Sequence, residues 1–331
     1  MRPDPKPDAK SGSKPDPKQQ KTTLKDMTMS LADDWKAQLE KMKLKPDQVY
    51  TIHNKIRTLT NKFDLPGPDM RDVLDFDVPH ANFPVPVRLY VPKGASREAG
   101  PTLVYLHGGG FVTCSMDSHE GLCLRMADSA GLRVLSVDYR LAPQYPFPAG
   151  PDDCEHVLKW VLSGEGLEHG IDKARIGIGG DSAGGNMAAW LGQKYRQNLH
   201  TQVLLYPLMQ MAEIKPQKPG PQDMLQLGVV ALKFVTKYYL AGADVQDTKV
   251  SPLFEKNLKG IPSTYLLTCG LDPLRAEGRL YKDYLIGQGV EVEYVHEKAM
   301  PHGFLNFSRA FPKARTLPVE IGAFLEKSLV G

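Results

Sequence analysis

From Leu106 onward, short β-rich runs alternate with helix-like segments, and this alternation constrains the chain more than any other feature. The later runs are Thr102–Leu106, Arg133–Val137, Arg175–Ile178, Thr201–Leu205, Thr264–Thr268 and Val290–Val295. Between them lie stretches such as Glu120–Ser129, Cys154–Leu162 and Met187–Tyr195. Strands joined through helices pair in parallel, and the helices then cover both faces of the sheet. Two earlier runs, Val73–Val78 and Pro86–Val91, are close together and alternate, as in a hairpin at a sheet edge. The expected fold class is therefore α/β, with eight strands in a mostly parallel sheet. Ligands in such sheets gather at the carboxyl ends of the strands.

Three segments fall outside the alternation. Residues 1–23 are rich in Lys, Pro, Asp and Gln, with P-D-P-K at Pro3 and again at Pro15. With so few apolar side chains, this tail cannot offset the entropy of ordering and is expected to be disordered; a polyproline ligand is the rival reading. Residues 24–72 carry two amphipathic patterns. Leu31, Trp35, Leu39 and Met42 follow a cap at Ser30, and Val49, Ile52, Ile56, Leu59 and Phe63 end at Pro66-Gly67-Pro68. Such helices can lie on membranes, but packing against the protein's own body is the reading adopted. Residues 209–246 contain K-P-Q-K-P-G-P-Q and then a helical run from Leu225 to Tyr239, too long for a simple crossover. Together with the N-terminal helices they are expected to form a helical cap over a core made of residues 73–208 and 247–331.

Composition excludes several classes of function. Over 331 residues the net charge is +3, and no basic cluster in the body of the chain offers a nucleic-acid footprint. Cys114, Cys123, Cys154 and Cys269 show neither a C-x-x-C pair nor metal-ligand spacing, so free thiols and no metal are expected. No run has the length of a membrane span, and the N-terminus lacks the apolar core of a signal peptide. A cytoplasmic location without stable membrane insertion is the resulting expectation.

Gly177 to Asn186 reads G-I-G-G-D-S-A-G-G-N, five glycines and one serine in ten residues. Such a run either cradles a phosphate or turns so tightly that Ser182 is thrust outward as a nucleophile. A P-loop needs Lys followed by Ser or Thr after its glycines, whereas Gly184 is followed by Gly185 and Asn186. A dinucleotide fingerprint needs a third glycine where Ser182 stands. It also needs an acidic residue ending the next strand, which instead closes Leu205-Tyr206-Pro207. The nucleophile reading fits better. Gly180-Asp181-Ser182-Ala183-Gly184 is G-x-S-x-G between a strand and a helix. On so sharp a turn, side chains two residues either side of the serine would collide, which calls for glycine at 180 and 184.

A serine hydroxyl needs a base to take its proton, and the base needs an acid to orient it. In a fold of this kind the chain order is Ser, then Asp or Glu, then His. Asp272 follows one strand in C-G-L-D-P-L, and His302 follows the next in M-P-H-G-F. Rivals are weaker: His296 is inside the last strand, and His200 precedes a strand at the wrong edge. Glu277, about a turn into the helix after Asp272, is a backup acid. Leu106-His107-Gly108-Gly109-Gly110-Phe111, after the central strand, supplies backbone N–H groups for the oxyanion of a tetrahedral intermediate. The N–H of Ala183 completes the set.

Taken together, H-G-G-G-F, D-Y-R-L-A-P-Q-Y-P-F-P-A (Asp138–Ala149), G-D-S-A-G, D-P-L-R-A-E-G and H-G-F resemble the hormone-sensitive-lipase-like (family IV) carboxylesterases of the α/β-hydrolase superfamily. The match runs from about Val73 to the C-terminus. The resemblance implies Ser182 as nucleophile, Asp272 as acid, His302 as base, and Gly109, Gly110 and Ala183 as oxyanion donors. Gly108 would support the turn and His107 would brace the loop. It also implies a cap, for which Phe111, Phe234, Tyr238 and Tyr239 are candidate acyl-pocket walls; buried core is an equally good reading of each. Two positions depart from the family pattern: Gln144 where glutamate is usual and Ala276 where aspartate is usual, both read as support positions. A non-catalytic receptor group in the same family lacks the histidine, which is present here as His302.

The expected function is hydrolysis of small carboxylic esters, of short to medium acyl length, through an acyl-enzyme on Ser182 and without an organic cofactor. Lactonase or amidase activity on the same machinery is the nearest alternative. A ligand-binding protein on this scaffold stands further off, and a homodimer is left open.

Overall fold

The computed structural model describes residues Thr58, Thr60, 62–212 and 237–330. The tail at 1–23, nearly all of the two N-terminal amphipathic patterns and the middle of the 209–246 insertion, Phe234 included, lie outside these residues.

Among the described residues, eight strands form one sheet: β1 (Met70–Val78), β2 (Val85–Pro92), β3 (Gly100–Leu106), β4 (Arg133–Val137), β5 (Ile171–Asp181), β6 (Thr201–Leu205), β7 (Ser263–Leu271) and β8 (Val292–Pro301). Their order across the sheet is β1-β2-β4-β3-β5-β6-β7-β8. The hairpin pair β1–β2 and the β2–β4 contact are antiparallel, and every pairing from β4 through β8 is parallel. β1 starts at Met70, three residues before the run read from the sequence, because Met70 and Asp72 pair with Pro92 and Val91 around a register shift. Arg71 and Asp72 hide an edge strand from apolar patterning, but not from its ladder.

Among the described residues, five α-helices cover the sheet: α1 (Glu120–Ala130), α2 (Ala149–Ser163), α3 (Ala183–Lys194), α4 (Arg275–Gly287) and α5 (Lys313–Leu329). α1 and α5 pack on one face; α2, α3 and α4 pack on the other. β3 shows why the central runs look continuously apolar. Leu103 and Tyr105 enter the core under α1 and α5, while Val104 and Leu106 enter the core under the other three helices. Each such aliphatic side chain contributes about 1.5–3 kcal/mol of burial. α1 and α2 both stop at a glycine in the left-handed region, Gly131 (φ 62°) and Gly164 (φ 96°). Among the described residues, no helix is long and apolar enough to cross a membrane.

Chain topology brings four strand ends to one rim. Leu106 closes β3, Asp181 closes β5, Leu271 closes β7 and Pro301 closes β8. Parallel strands in one sheet share a carboxyl edge, so the residues that follow them meet there.

Candidate active site

Ser182 is the single residue between β5 and α3, with φ 53° and ψ −114°. A non-glycine residue at that angle is strained, and neighbouring contacts must hold it. Its N–H donates to Leu205 O (2.9 Å), and its carbonyl accepts from Asn186 N and Leu208 N (3.0 Å each). The flanking glycines are sterically required. A Cβ at Gly180 would approach Gly184 C to 2.5 Å, and one at Gly184 would run into the Leu106 carbonyl oxygen.

His302 follows β8 directly and is half-buried; its Nε2 lies 2.8 Å from Ser182 Oγ. Its Nδ1 lies 2.8 Å from Oδ2 of Asp272, which follows β7 and is 1% exposed. The other carboxylate oxygen of Asp272 accepts the Leu274 N–H at 2.8 Å, which fixes the group at the start of α4. Burial disfavours the His302 cation, but the charge and hydrogen bond of Asp272, helped by Asp181 and Glu277, prevail and raise its pKa above the usual imidazole value.

The loop after β3 turns through a run of left-handed residues: Gly109 (φ 116°), Gly110 (φ 63°) and Phe111 (φ 61°). Gly109 O accepts from Val112 N (3.2 Å), Thr113 N (3.0 Å) and Thr113 Oγ1 (2.9 Å), so the turn is closed on its carbonyl side. Among the described residues, the Gly109 and Gly110 N–H groups engage no acceptor in the protein. Gly108 N–H is already committed, to Asp181 Oδ1 at 2.8 Å. His107 is fully buried, stacks on Tyr139 at 4.2 Å, and its carbonyl accepts the Tyr139 hydroxyl at 2.6 Å.

Other residues singled out in the sequence fall elsewhere. Both carboxylate oxygens of Glu277 are engaged by donors from another segment. Its Oε1 accepts Met209 N at 2.6 Å and its Oε2 accepts from Gln210 Nε2 at 3.1 Å, so it holds the chain just past β6. Loss of solvent pushes this carboxyl up to about 8 despite those donors. His296 is within β8, with Nδ1 3.0 Å from Thr268 Oγ1, and His200 precedes β6 at the opposite edge. Phe111 and Tyr239 stack face to face at 3.9 Å and are each 1% exposed, which makes them core. Gln144 and Ala276 are both exposed. Three residues of the site escaped the sequence reading: Asp181, His119 and Tyr206, whose ring meets the His302 imidazole edge-on at 5.0 Å. Asp181 occupies a variable position of its motif, and no spacing rule links it to His119.

An eight-stranded, mostly parallel sheet with a strained serine turn at the end of its fifth strand defines an α/β hydrolase. The family model described as alpha/beta hydrolase fold matches residues 103–306. Carboxylesterase NlhH of Mycobacterium tuberculosis is 38% identical over 240 residues, 70% of this chain and 74% of its own length. Esterase LipI of the same organism is 34% identical over 279 residues, covering 81% and 85%. The hyperthermophilic esterase of the archaeon Pyrobaculum calidifontis superposes with a TM-score of 0.79 at 30% identity, over 93% of this chain and 98% of that one. An ester hydrolase from the metagenome of Lake Arreo, complexed with a bipyridine phosphonate derivative, gives 0.81 at 29% identity, over 92% and 98%. The chain belongs to the hormone-sensitive-lipase-like branch of the α/β-hydrolase family, and its chemistry is the hydrolysis of carboxylic esters.

Proposed function

We propose that Ser182, His302 and Asp272 carry this hydrolysis as nucleophile, base and acid. In this reading Ser182 Oγ attacks the acyl carbonyl as His302 Nε2 takes its proton, and the same imidazole then protonates the leaving alcohol. Water, activated by His302, releases the acid from the acyl-enzyme. Asp272 holds Nδ1–H in the required tautomer and stabilises the imidazolium. The N–H groups of Gly109, Gly110 and Ala183 stabilise the oxyanion. The observation that supports this most directly is the continuous chain from Ser182 Oγ through His302 to Asp272, two contacts of 2.8 Å each.

Small, soluble esters of short to medium acyl length are the proposed substrates. The free thiols of Cys114, Cys123, Cys154 and Cys269 suit the proposed cytoplasmic location. A relative 28% identical over 77% of this chain, the arylacetamide deacetylase of Oryctolagus cuniculus, favours aryl amides as a second substrate class. The test compares wild type with Ser182→Ala on p-nitrophenyl esters of graded acyl length, with lactone and anilide analogues alongside. Ester turnover is expected to fall by about 10⁴-fold or more in the variant, and undiminished turnover would refute the assignment.

A further inference from the structure

Beside Ser182 lies a second buried histidine–carboxylate pair that the triad does not use. Asp181, 3% exposed, ends β5, and its Oδ1 accepts the Tyr105 hydroxyl of β3 (2.9 Å) and the Gly108 N–H of the glycine loop (2.8 Å). Nε2 of His119 lies 3.1 Å from the same oxygen. Oδ2 lies 3.3 Å from the same imidazole nitrogen. The fit is tight: a Cβ at Gly108 would strike this carboxylate.

His119, 1% exposed, leads into α1. Its Nδ1 is 2.9 Å from Ser118 Oγ, whose own hydroxyl proton is committed to Ser115 O at 2.8 Å, so Nδ1 donates there. The side-chain amide of Asn306, four residues past His302, lies 3.0 Å from His119 Nε2. Segments from the oxyanion loop, the nucleophile strand and the base loop thus converge on one carboxylate–imidazole pair. Burial alone would push the Asp181 carboxyl up; the His119 charge, hydrogen bonds from His119 and Tyr105, and the nearby His107 outweigh it and hold the group below its usual range.

We infer that His119, acting through Asp181, is the positioning residue of the oxyanion loop: it fixes the carboxylate that pins Gly108, so that the next two N–H groups point at the developing oxyanion. This rests on the proposed roles of Ser182, Gly109 and Gly110. Gly108 is the first glycine of the loop, and Tyr105 is the third residue before it. One carboxylate therefore clamps the loop on both sides of His107, and a loop so clamped cannot drift along the strand axis. Oxyanion stabilisation depends steeply on donor placement; removal of one donor costs about 10²–10³-fold in kcat, and misplacement by about an ångström costs up to about 10²-fold.

The experiment measures kcat, KM and inhibition by a trifluoromethyl ketone, which binds serine as an oxyanion-bearing hemiketal. All rates are normalised to the Ser182 fraction titrated by a fluorophosphonate. His119→Leu is expected to lower kcat per titrated site about 10- to 100-fold and to weaken the ketone in step, with KM within about twofold. His119→Gln, which retains a donor, should recover most of the loss. Should the leucine variant not fold, Tyr105→Phe and His119→Gln decide. Tyr105→Phe then lowers kcat severalfold and His119→Gln does so less. Variants whose kcat per titrated site and ketone affinity match wild type, whatever their melting temperature, overturn the inference. Failure of the underlying assignment reads differently: wild-type enzyme would show no fluorophosphonate labelling, or Ser182→Ala would remain active.

Discussion

His302 Nδ1 sits 2.8 Å from Asp272 Oδ2, while Leu274 N–H holds the opposite oxygen of the same carboxylate at 2.8 Å. The imidazole therefore faces an acid that cannot rotate away, and its pKa is raised. In the proposed mechanism His302 must be neutral to accept the Ser182 proton, so the acid limb of the kcat/KM profile is expected above the ordinary histidine value of 6.5. Asp272→Asn removes the charge and reverses the preferred tautomer. It should move the limb to lower pH and reduce kcat by about 10³- to 10⁴-fold. An unmoved limb in a pH–rate series on a p-nitrophenyl ester would contradict this coupling.

Glu277 leads to a stability prediction. Its folded pKa, about 8, is above its ordinary value of 4.5, so the folded state holds a proton that the unfolded chain has released. The stabilising effect is fully present below about pH 4.5 and is lost as pH rises through about 8. Chemical denaturation of Glu277→Gln, which stays neutral, should show a smaller decline between those limits than wild type. Parallel curves for the two proteins would rule the effect out.

At Gly184, an added methyl meets the Leu106 and His107 carbonyl oxygens, which lead into the glycine loop. Gly184→Ala is expected to cost about 1–3 kcal/mol from overpacking and to lower kcat beyond what unfolding explains. The control is Gly131→Ala at the end of α1. Nothing lies within 4 Å of its new Cβ, although φ is 62°. It should cost about 1–2 kcal/mol of backbone strain and leave kcat unchanged. Equal kcat losses in both variants would argue against the steric account.

Phe111 stacks on Tyr239, which also presents its carbonyl to Phe147 N at 2.8 Å. The stack joins the glycine loop to the segment around Tyr239. Phe111→Ala should lower stability by about 3–5 kcal/mol, measured by urea denaturation, and a loss under 1 kcal/mol would show that the surrounding core refills the space.

Much of this was legible locally because strand ends, glycine spacing and chain order are local properties. Ser182, Asp272 and His302 each stand directly after a strand run, and parallel strands have no choice but to share an edge. Positions 180 and 184 could be read from sterics alone, since any Cβ there meets backbone two to four residues away or on the adjacent strand. The start of β1 was less legible, because charged residues at an exposed edge break the alternation that marks a strand. The partners of Glu277 were not legible, for a related reason. Its helical position gives a distance from Asp272, but which way the carboxyl turns depends on Met209, 68 residues earlier.

The amino-acid sequence by itself determined the α/β class, the elbow around Ser182 and the order of the residues along the rim, because each follows from short-range sterics and periodicity. Only the tertiary structure decided that Tyr105, Gly108 and Asn306 meet around the buried Asp181–His119 pair. Those residues are up to 201 positions apart, from Tyr105 to Asn306. Their hydrogen bonds exist only once the sheet has closed, when burial makes an unpaired polar group too costly to leave alone.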